Sequence, residues 1–186
     1  MNFAFSEEQE ELRKVVRDFL DNKSDEATVR ELMDTTEGYD PAVWTQMGEQ
    51  MGLQGLVIPE EYGGSGYSFV ELIVVLEEMG RRLLCAPYFS TVVLAGQTLL
   101  HSGDEDAKKA HLPGIASGET IATVAYTEPN GRWDESAVTM EATADGSSYK
   151  LNGEKLYVLD GHTADLIITA ARTSAGVSLF AVAGDA

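Results

Sequence analysis

Few residues of this chain are of types that do chemistry unaided, and their spacing is informative mostly by what it excludes. The three histidines, His101, His111 and His162, are scattered and lack metal-ligand spacing. His101 and His111 read as residues at helix ends, where a cation is favoured. The single cysteine, Cys85, sits in an apolar stretch and reads as a buried, inert thiol. Glu60-Glu61 and Glu77-Glu78 resemble paired carboxylates, but neighbours on a helix do not share a face, so each pair reads as solvated surface. Gly64-Ser65-Gly66 has no third glycine at Phe69 and follows no buried strand. It is therefore neither a dinucleotide fingerprint nor, without Gly-Lys-Ser/Thr, a Walker loop. No Gly-x-Ser-x-Gly nucleophile elbow occurs.

The 186 residues include 13 Lys and Arg against 31 Asp and Glu, a formal charge of −18. That balance argues against nucleic acid as a ligand, because phosphate binding requires clustered cations. It argues equally against docking on anionic membranes. No apolar run approaches the ~18 residues of a membrane span. One cysteine excludes an internal disulfide framework. The segment Met1 to Gln9 carries glutamates rather than a basic and an apolar region, so no secretory signal is read there. Composition fits a cytoplasmic globular protein, with 44% apolar and 24% charged residues.

The elements that must position any site fall into two halves. Ser6 and Gln9 form a capping-box pattern ahead of Leu12, Val15, Val16, Phe19 and Leu20 at helical spacing. A short helix is predicted over residues 25–33, and another from Asp40-Pro41, with Val43, Trp44, Met47 and Met51 as its apolar stripe. Leu56-Val57-Ile58-Pro59 reads as extended, and residues 60–66 as a glycine-rich loop. Helical periodicity returns from Ser68 to Leu84. It resumes from Pro87 through Leu100, and again from Gly103-Asp104 to about Leu112-Pro113-Gly114. From about Glu119 the period becomes two. Strands are predicted over 121–126, 138–143, 149–151, 156–159, 166–169 and 177–182, with turns at Asp145-Gly146 and Asn152-Gly153. Strands after helices indicate an α+β fold or two domains, bounded as 1–118 and 119–186.

Two segments of the first half and two of the second carry a resemblance. Leu56-Val57-Ile58-Pro59-Glu60-Glu61-Tyr62-Gly63-Gly64-Ser65-Gly66, followed by Glu77-Glu78-Met79-Gly80, resembles the N-terminal helical domain of the acyl-CoA dehydrogenase family. Ala125-Tyr126-Thr127-Glu128-Pro129 is similar to that family's Thr-Glu-Pro flavin segment. Asn152-Gly153-Glu154-Lys155-Leu156-Tyr157-Val158-Leu159-Asp160-Gly161 is similar to its Asn-Gly-x-Lys-x-Trp-Ile-Thr-Asn-Gly stretch. The resemblance implies an all-helical N-terminal domain followed by an incomplete antiparallel β-barrel, with a C-terminal helical domain absent. It also implies α,β-dehydrogenation of an acyl-CoA, FAD as cofactor, an electron-transfer flavoprotein or similar acceptor, and a homo- or hetero-oligomer. The family's catalytic carboxylate usually belongs to the C-terminal domain, so no residue of this chain is assigned as the catalytic base.

By the same resemblance Tyr126 and Thr127 meet the flavin ring edge, and Trp133, Tyr157 and Leu159 complete the cofactor-binding set. Three departures stand out. Arg132 replaces a glycine and Trp133 a serine of the family's Gly-x-Gly-Ser-Asp pattern. Arg132 is read as a possible phosphate ligand, Trp133 equally as a loop residue covering a barrel edge. Tyr157 keeps an aromatic where the family has tryptophan. Leu159 replaces the threonine whose hydroxyl reaches the flavin, and a donor is lost. An alternative is therefore a flavin-deficient, non-catalytic partner subunit of a heteromeric acyl-CoA dehydrogenase. An oxidase or monooxygenase on the same fold is a further reading. Val74, Leu76 and Met79 are candidates for an acyl pocket, with core packing as their plainer role. Arg132, Lys155 and Arg172 are among the few cations available to an anionic ligand.

Overall fold

The computed structural model describes residues 4–186. The chain forms two compact units, one from the residues up to Ala86 with Gly103–Glu119, the other from Pro87–Ser102 with Thr120–Ala186.

The first unit is helical. Helix α1 (Glu7–Lys23) begins at the capping box of Ser6 and Gln9, and α2 (Glu26–Met33) at Asp25, whose carboxylate accepts from the Thr28 amide. Helix α3 (Pro41–Glu49) starts with proline in its first turn under an Asp40 cap. Helix α4 (Phe69–Arg82) starts with a second capping box, Ser68 and Glu71. Val16 and Leu20 of α1, Met47 of α3 and Leu72, Val74, Val75 and Met79 of α4 form the core. Val74 and Met79 thus have packing roles.

Helix α4 stops at Arg82, short of Leu84, because Leu83 adopts a left-handed conformation at φ 50°. Helix α6 (Glu105–Ser117) runs past the expected stop at Pro113. Pro113 is exposed and the carbonyl it orphans belongs to exposed Lys109. Burial of Leu112, Ile115 and Ala116 carries the helix on to Gly118, whose carbonyl accepts from the Trp44 indole at 2.8 Å. His111 is consequently mid-helix rather than at an end.

Residues 56–58 form turns, not an extended piece, with Ile58 N–H on the Gly55 carbonyl. The amides of Ser65, Gly66 and Tyr67 return to the carbonyls of Gly55, Ile58 and Leu56 at 2.9 Å each. Gly64 lies under this fold-back: a Cβ there would stand 2.0 Å from the Ile58 oxygen and 2.6 Å from that of Gly55. Gly64→Ala should therefore cost about 3 kcal/mol, at the upper end of overpacking penalties. Chemical denaturation of the two proteins measures this, and an unchanged midpoint would refute the close approach.

The second unit opens with a π-helix (Phe89–Gly96) that passes into α5 (Gln97–His101). The π-helix residues Ser90, Thr91, Val92, Ala95 and Gly96 are buried. Five strands follow: β1 (Ala122–Ala125), β2 (Glu141–Asp145), β3 (Ser148–Asn152), β4 (Leu166–Thr173) and β5 (Gly176–Ala183). The α+β class holds, but the sheet is mixed and open, not antiparallel throughout. β1 and β2 lie parallel to β4, the latter by Glu141 opposite Arg172, while β2–β3 and β4–β5 are antiparallel. The long connections from β1 and β2 to β4 permit parallel pairing, which a hairpin would forbid.

Residues 156–159 form no strand, because Tyr157 and Asp160 have positive φ and the segment bonds to loops instead. With no strand between Gly153 and the start of β4 at Leu166, Asn152-Gly153 closes no hairpin. Strand β2 starts three residues late, at Glu141, for a reason that lies in the site. Among the described residues no helix is long and apolar enough to cross a membrane.

Candidate functional site

Glu128 and Lys155 organise this site. The Glu128 carboxylate accepts from the amides of Thr139 at 2.8 Å and Met140 at 2.9 Å, and from the Thr139 hydroxyl. Those two amides are the donors that the β2 ladder would otherwise use, which is why the strand begins late. The Lys155 ammonium closes on the same carboxylate at 2.7 Å and reaches the Tyr126 carbonyl at 3.3 Å. Both side chains are buried, with relative exposures of 5% for Lys155 and 3% for Glu128. Burial alone would raise the Glu128 pKa. The ammonium, the hydroxyl and the amides outweigh it and bring the carboxyl down to about 2.

The pair joins the loop after β1 to the loop after β3. A backbone bond adds to it, Leu156 N–H on the Thr127 carbonyl at 2.8 Å. Thr127 and the segment that carries Tyr157 and Leu159 are thereby held side by side. The Thr127 hydroxyl has no hydrogen-bond partner among the described residues and remains available to a ligand. Tyr157 is 87% exposed with φ 55°, so a bulky residue occupies a strained conformation with its ring in solvent. Leu159 is exposed, and its carbonyl accepts from the Thr123 hydroxyl at 2.7 Å.

Tyr126 and Trp133 meet differently. The Tyr126 hydroxyl donates to the Trp133 carbonyl at 3.0 Å, while the indole is 80% exposed. Asn130 braces the same loop through the Ala137 carbonyl and the Arg132 amide. The Arg132 guanidinium is engaged by both oxygens of Asp134, at 3.0 Å each, and by the Ser136 hydroxyl. Arg172 donates to the carbonyls of Val138 and Glu135. All three cations singled out in the sequence are thus committed within the chain.

Comparison with known proteins identifies the arrangement. The family model for the acyl-CoA dehydrogenase N-terminal domain matches residues 6–119, and that for the middle domain matches residues 123–186. This chain belongs to the acyl-CoA dehydrogenase family. The probable acyl-CoA dehydrogenase YngJ of Bacillus subtilis is 34% identical over 93% of the chain and 45% of its own length. The ChsE4–ChsE5 complex of Mycobacterium tuberculosis superposes with a TM-score of 0.86 at 28% identity, over 98% of this chain and 49% of that one. A glutaryl-coenzyme A dehydrogenase bound to glutaryl-CoA gives a TM-score of 0.86 at 32% identity, over 98% and 48%. The chain spans about half the length of the curated relatives it matches.

The flavin that acyl-CoA dehydrogenases imply can be tested against these side chains. The unpaired Thr127 hydroxyl and the exposed Tyr157 ring suit the aromatic ring of a flavin. The pyrophosphate end finds no such provision, since Arg132, Lys155 and Arg172 already have partners. Sequence reading selected the residues at the surface of the site. It passed over Glu128 and took Lys155 for a cation facing an anionic ligand, whereas Lys155 is buried on Glu128. Glu128 and Lys155 lay inside the quoted motifs, one acidic and one basic residue in two loops distant in sequence.

Proposed function

We propose that this chain supplies the helical and middle-domain portion of an acyl-CoA dehydrogenase flavoprotein acting by α,β-dehydrogenation of an acyl-CoA thioester, with domains 1–118 and 119–186. The supporting observation is the buried Glu128–Lys155 pair, which holds Thr127 beside the Tyr157 segment. FAD, when bound, is the acceptor of the hydride that leaves the acyl chain. The chain's own residues would position it: the Thr127 hydroxyl would supply a hydrogen bond to it, and the exposed Tyr157 ring would cover it and exclude water. The phosphates and the α-proton base fall to residues outside this set. Electrons pass on to an electron-transfer flavoprotein or similar acceptor, and the complex is cytoplasmic.

The protein, purified with any homologous subunit that accompanies it, should show flavin absorbance that bleaches anaerobically on adding acyl-CoA. Thr127→Val, which removes one hydroxyl at constant shape, should weaken flavin binding about tenfold, the worth of a hydrogen bond of about 1.4 kcal/mol. Flavin-free complex, or an affinity unmoved by that substitution, refutes the assignment.

A second reading has its own support. With Arg132 engaged by Asp134 and Ser136, and Leu159 offering no hydroxyl, the chain fits a flavin-deficient subunit of a heteromeric acyl-CoA dehydrogenase. It predicts co-purification with a flavin-bearing homologue, and a flavin-replete homo-oligomer excludes it.

A further inference from the structure

The segment that presents Tyr157 and Leu159 contains two non-glycine residues with left-handed φ, Tyr157 at 55° and Asp160 at 52°. Such conformations persist only where the surroundings hold them. Local bonds close the turn: Gly161 N–H on the Val158 carbonyl at 3.2 Å, and the Thr163 amide and hydroxyl on the Asp160 carbonyl at 3.1 Å. The ties from Leu156 to Thr127 and from Leu159 to Thr123 run through the backbone of the segment and fix its first half. At the kink itself the tie runs through a side chain. The Ser90 hydroxyl lies 2.5 Å from Asp160 Oδ2.

Ser90 is fully buried in the π-helix. A serine in a helix ordinarily returns its proton to a carbonyl one turn back, and the Pro87 oxygen stands at 3.1 Å for that purpose. The shorter, charge-assisted contact to Asp160 takes the single proton. The next residue, Thr91, accepts from the Ala122 amide at 3.1 Å at the start of β1. The wider π turn rotates successive residues less than an α-helix does. Two consecutive hydroxyls therefore reach the sheet unit, one its first strand and the other its kinked loop. This also accounts for an aspartate at 160, because Asp and Asn tolerate left-handed φ better than other side-chain-bearing residues.

We infer that Ser90 is a positioning residue that acts through Asp160 to fix the kink presenting Tyr157 and Leu159. The inference deepens the proposed flavin role of that segment, but its first test does not depend on it. In the full chain, Ser90→Ala should raise amide exchange at Gly161 and Thr163 about tenfold, the loss expected for one hydrogen bond, and leave Leu156 and β4 unchanged. Asp160→Asn keeps an acceptor for Ser90 and a side chain suited to left-handed φ, so it should exchange like the parent. Asp160→Ala approaches from the loop side and should loosen the turn as Ser90→Ala does, which keeps the test decisive if the buried substitution prevents folding. Parental exchange in both alanine variants overturns the inference, as does an Asn variant as loose as they are. Where flavin is bound, Ser90→Ala should also shift its visible absorption band while Asp160→Asn does not. Protein without flavin refutes the proposed cofactor role and leaves the exchange result to decide this one.

Discussion

Replacing Lys155 with methionine should cost about 3 kcal/mol or more of folding stability, because it strands a buried carboxylate whose partner is gone. Glu128 has almost no access to water, and without the ammonium its remaining partners are the Thr139 hydroxyl and the Thr139 and Met140 amides. The double variant Glu128→Gln/Lys155→Met should recover much of the loss, since a neutral amide accepts from one of those N–H groups and no charge remains to be solvated. The four-member cycle, read from urea unfolding, isolates the pair's coupling. The consequence extends past stability. Lys155 also holds the Tyr126 carbonyl, so its loss should free the loop after β1 from the loop after β3 and separate Thr127 from Tyr157. A single variant within about 0.5 kcal/mol of the parent would place the pair among ordinary surface ion pairs and remove the argument that it builds the site.

Helix starts were legible because they are local chemistry. Ser6 with Gln9, Asp25, Asp40 with Pro41, and Ser68 all cap where their residue types imply. Helix ends and strand limits were less so, because partners distant in sequence decide them. Pro113 does not stop α6, since the packed residues around it outweigh the lost hydrogen bond, and β2 begins late because a carboxylate eleven residues upstream takes the Thr139 amide. The apolar stretch 156–159 satisfies every local criterion for a strand, yet two left-handed residues and contacts to Thr127 and Thr123 make it a loop. Cys85 is half-buried at the end of the helical unit rather than fully enclosed, and burial raises its thiol pKa. The aromatic and hydroxyl residues of the site were legible through resemblance. The groups that position them were not, because Ser90 and Asp160 are seventy residues apart and neither belongs to a pattern that announces the other.

Adjacent glutamates gave the other instructive failure, and with it the second large effect. Glu77 is exposed and pairs with Arg13 at the surface, as a solvated face would. Glu78, one residue on, is only 2% exposed and lies between α1 and α4. Arg17 grips both its oxygens, at 3.0 and 2.7 Å, and Arg81 donates to it at 2.7 Å. The Arg17 contact, with Arg81 added and against the opposing pull of burial, holds its carboxyl at about 2. A depressed folded-state pKa stabilises the fold above the unfolded value near 4.5, and that stability is lost as pH falls toward about 2. Glu128 behaves the same way in the sheet unit. Between those limits each carboxylate should steepen the fall in unfolding free energy by about 1.4 kcal/mol per pH unit, one proton each. Glu78→Gln should therefore cost about 3 kcal/mol at neutral pH, that slope taken over the interval from 4.5 to about 2, and little near pH 2, where about half of the parent carboxyls are already protonated. Unfolding free energies of parent and variant measured across that range should converge as the acid increases. Curves that stay parallel would mean that Glu78 contributes by shape alone and that its arginine contacts add no net stability.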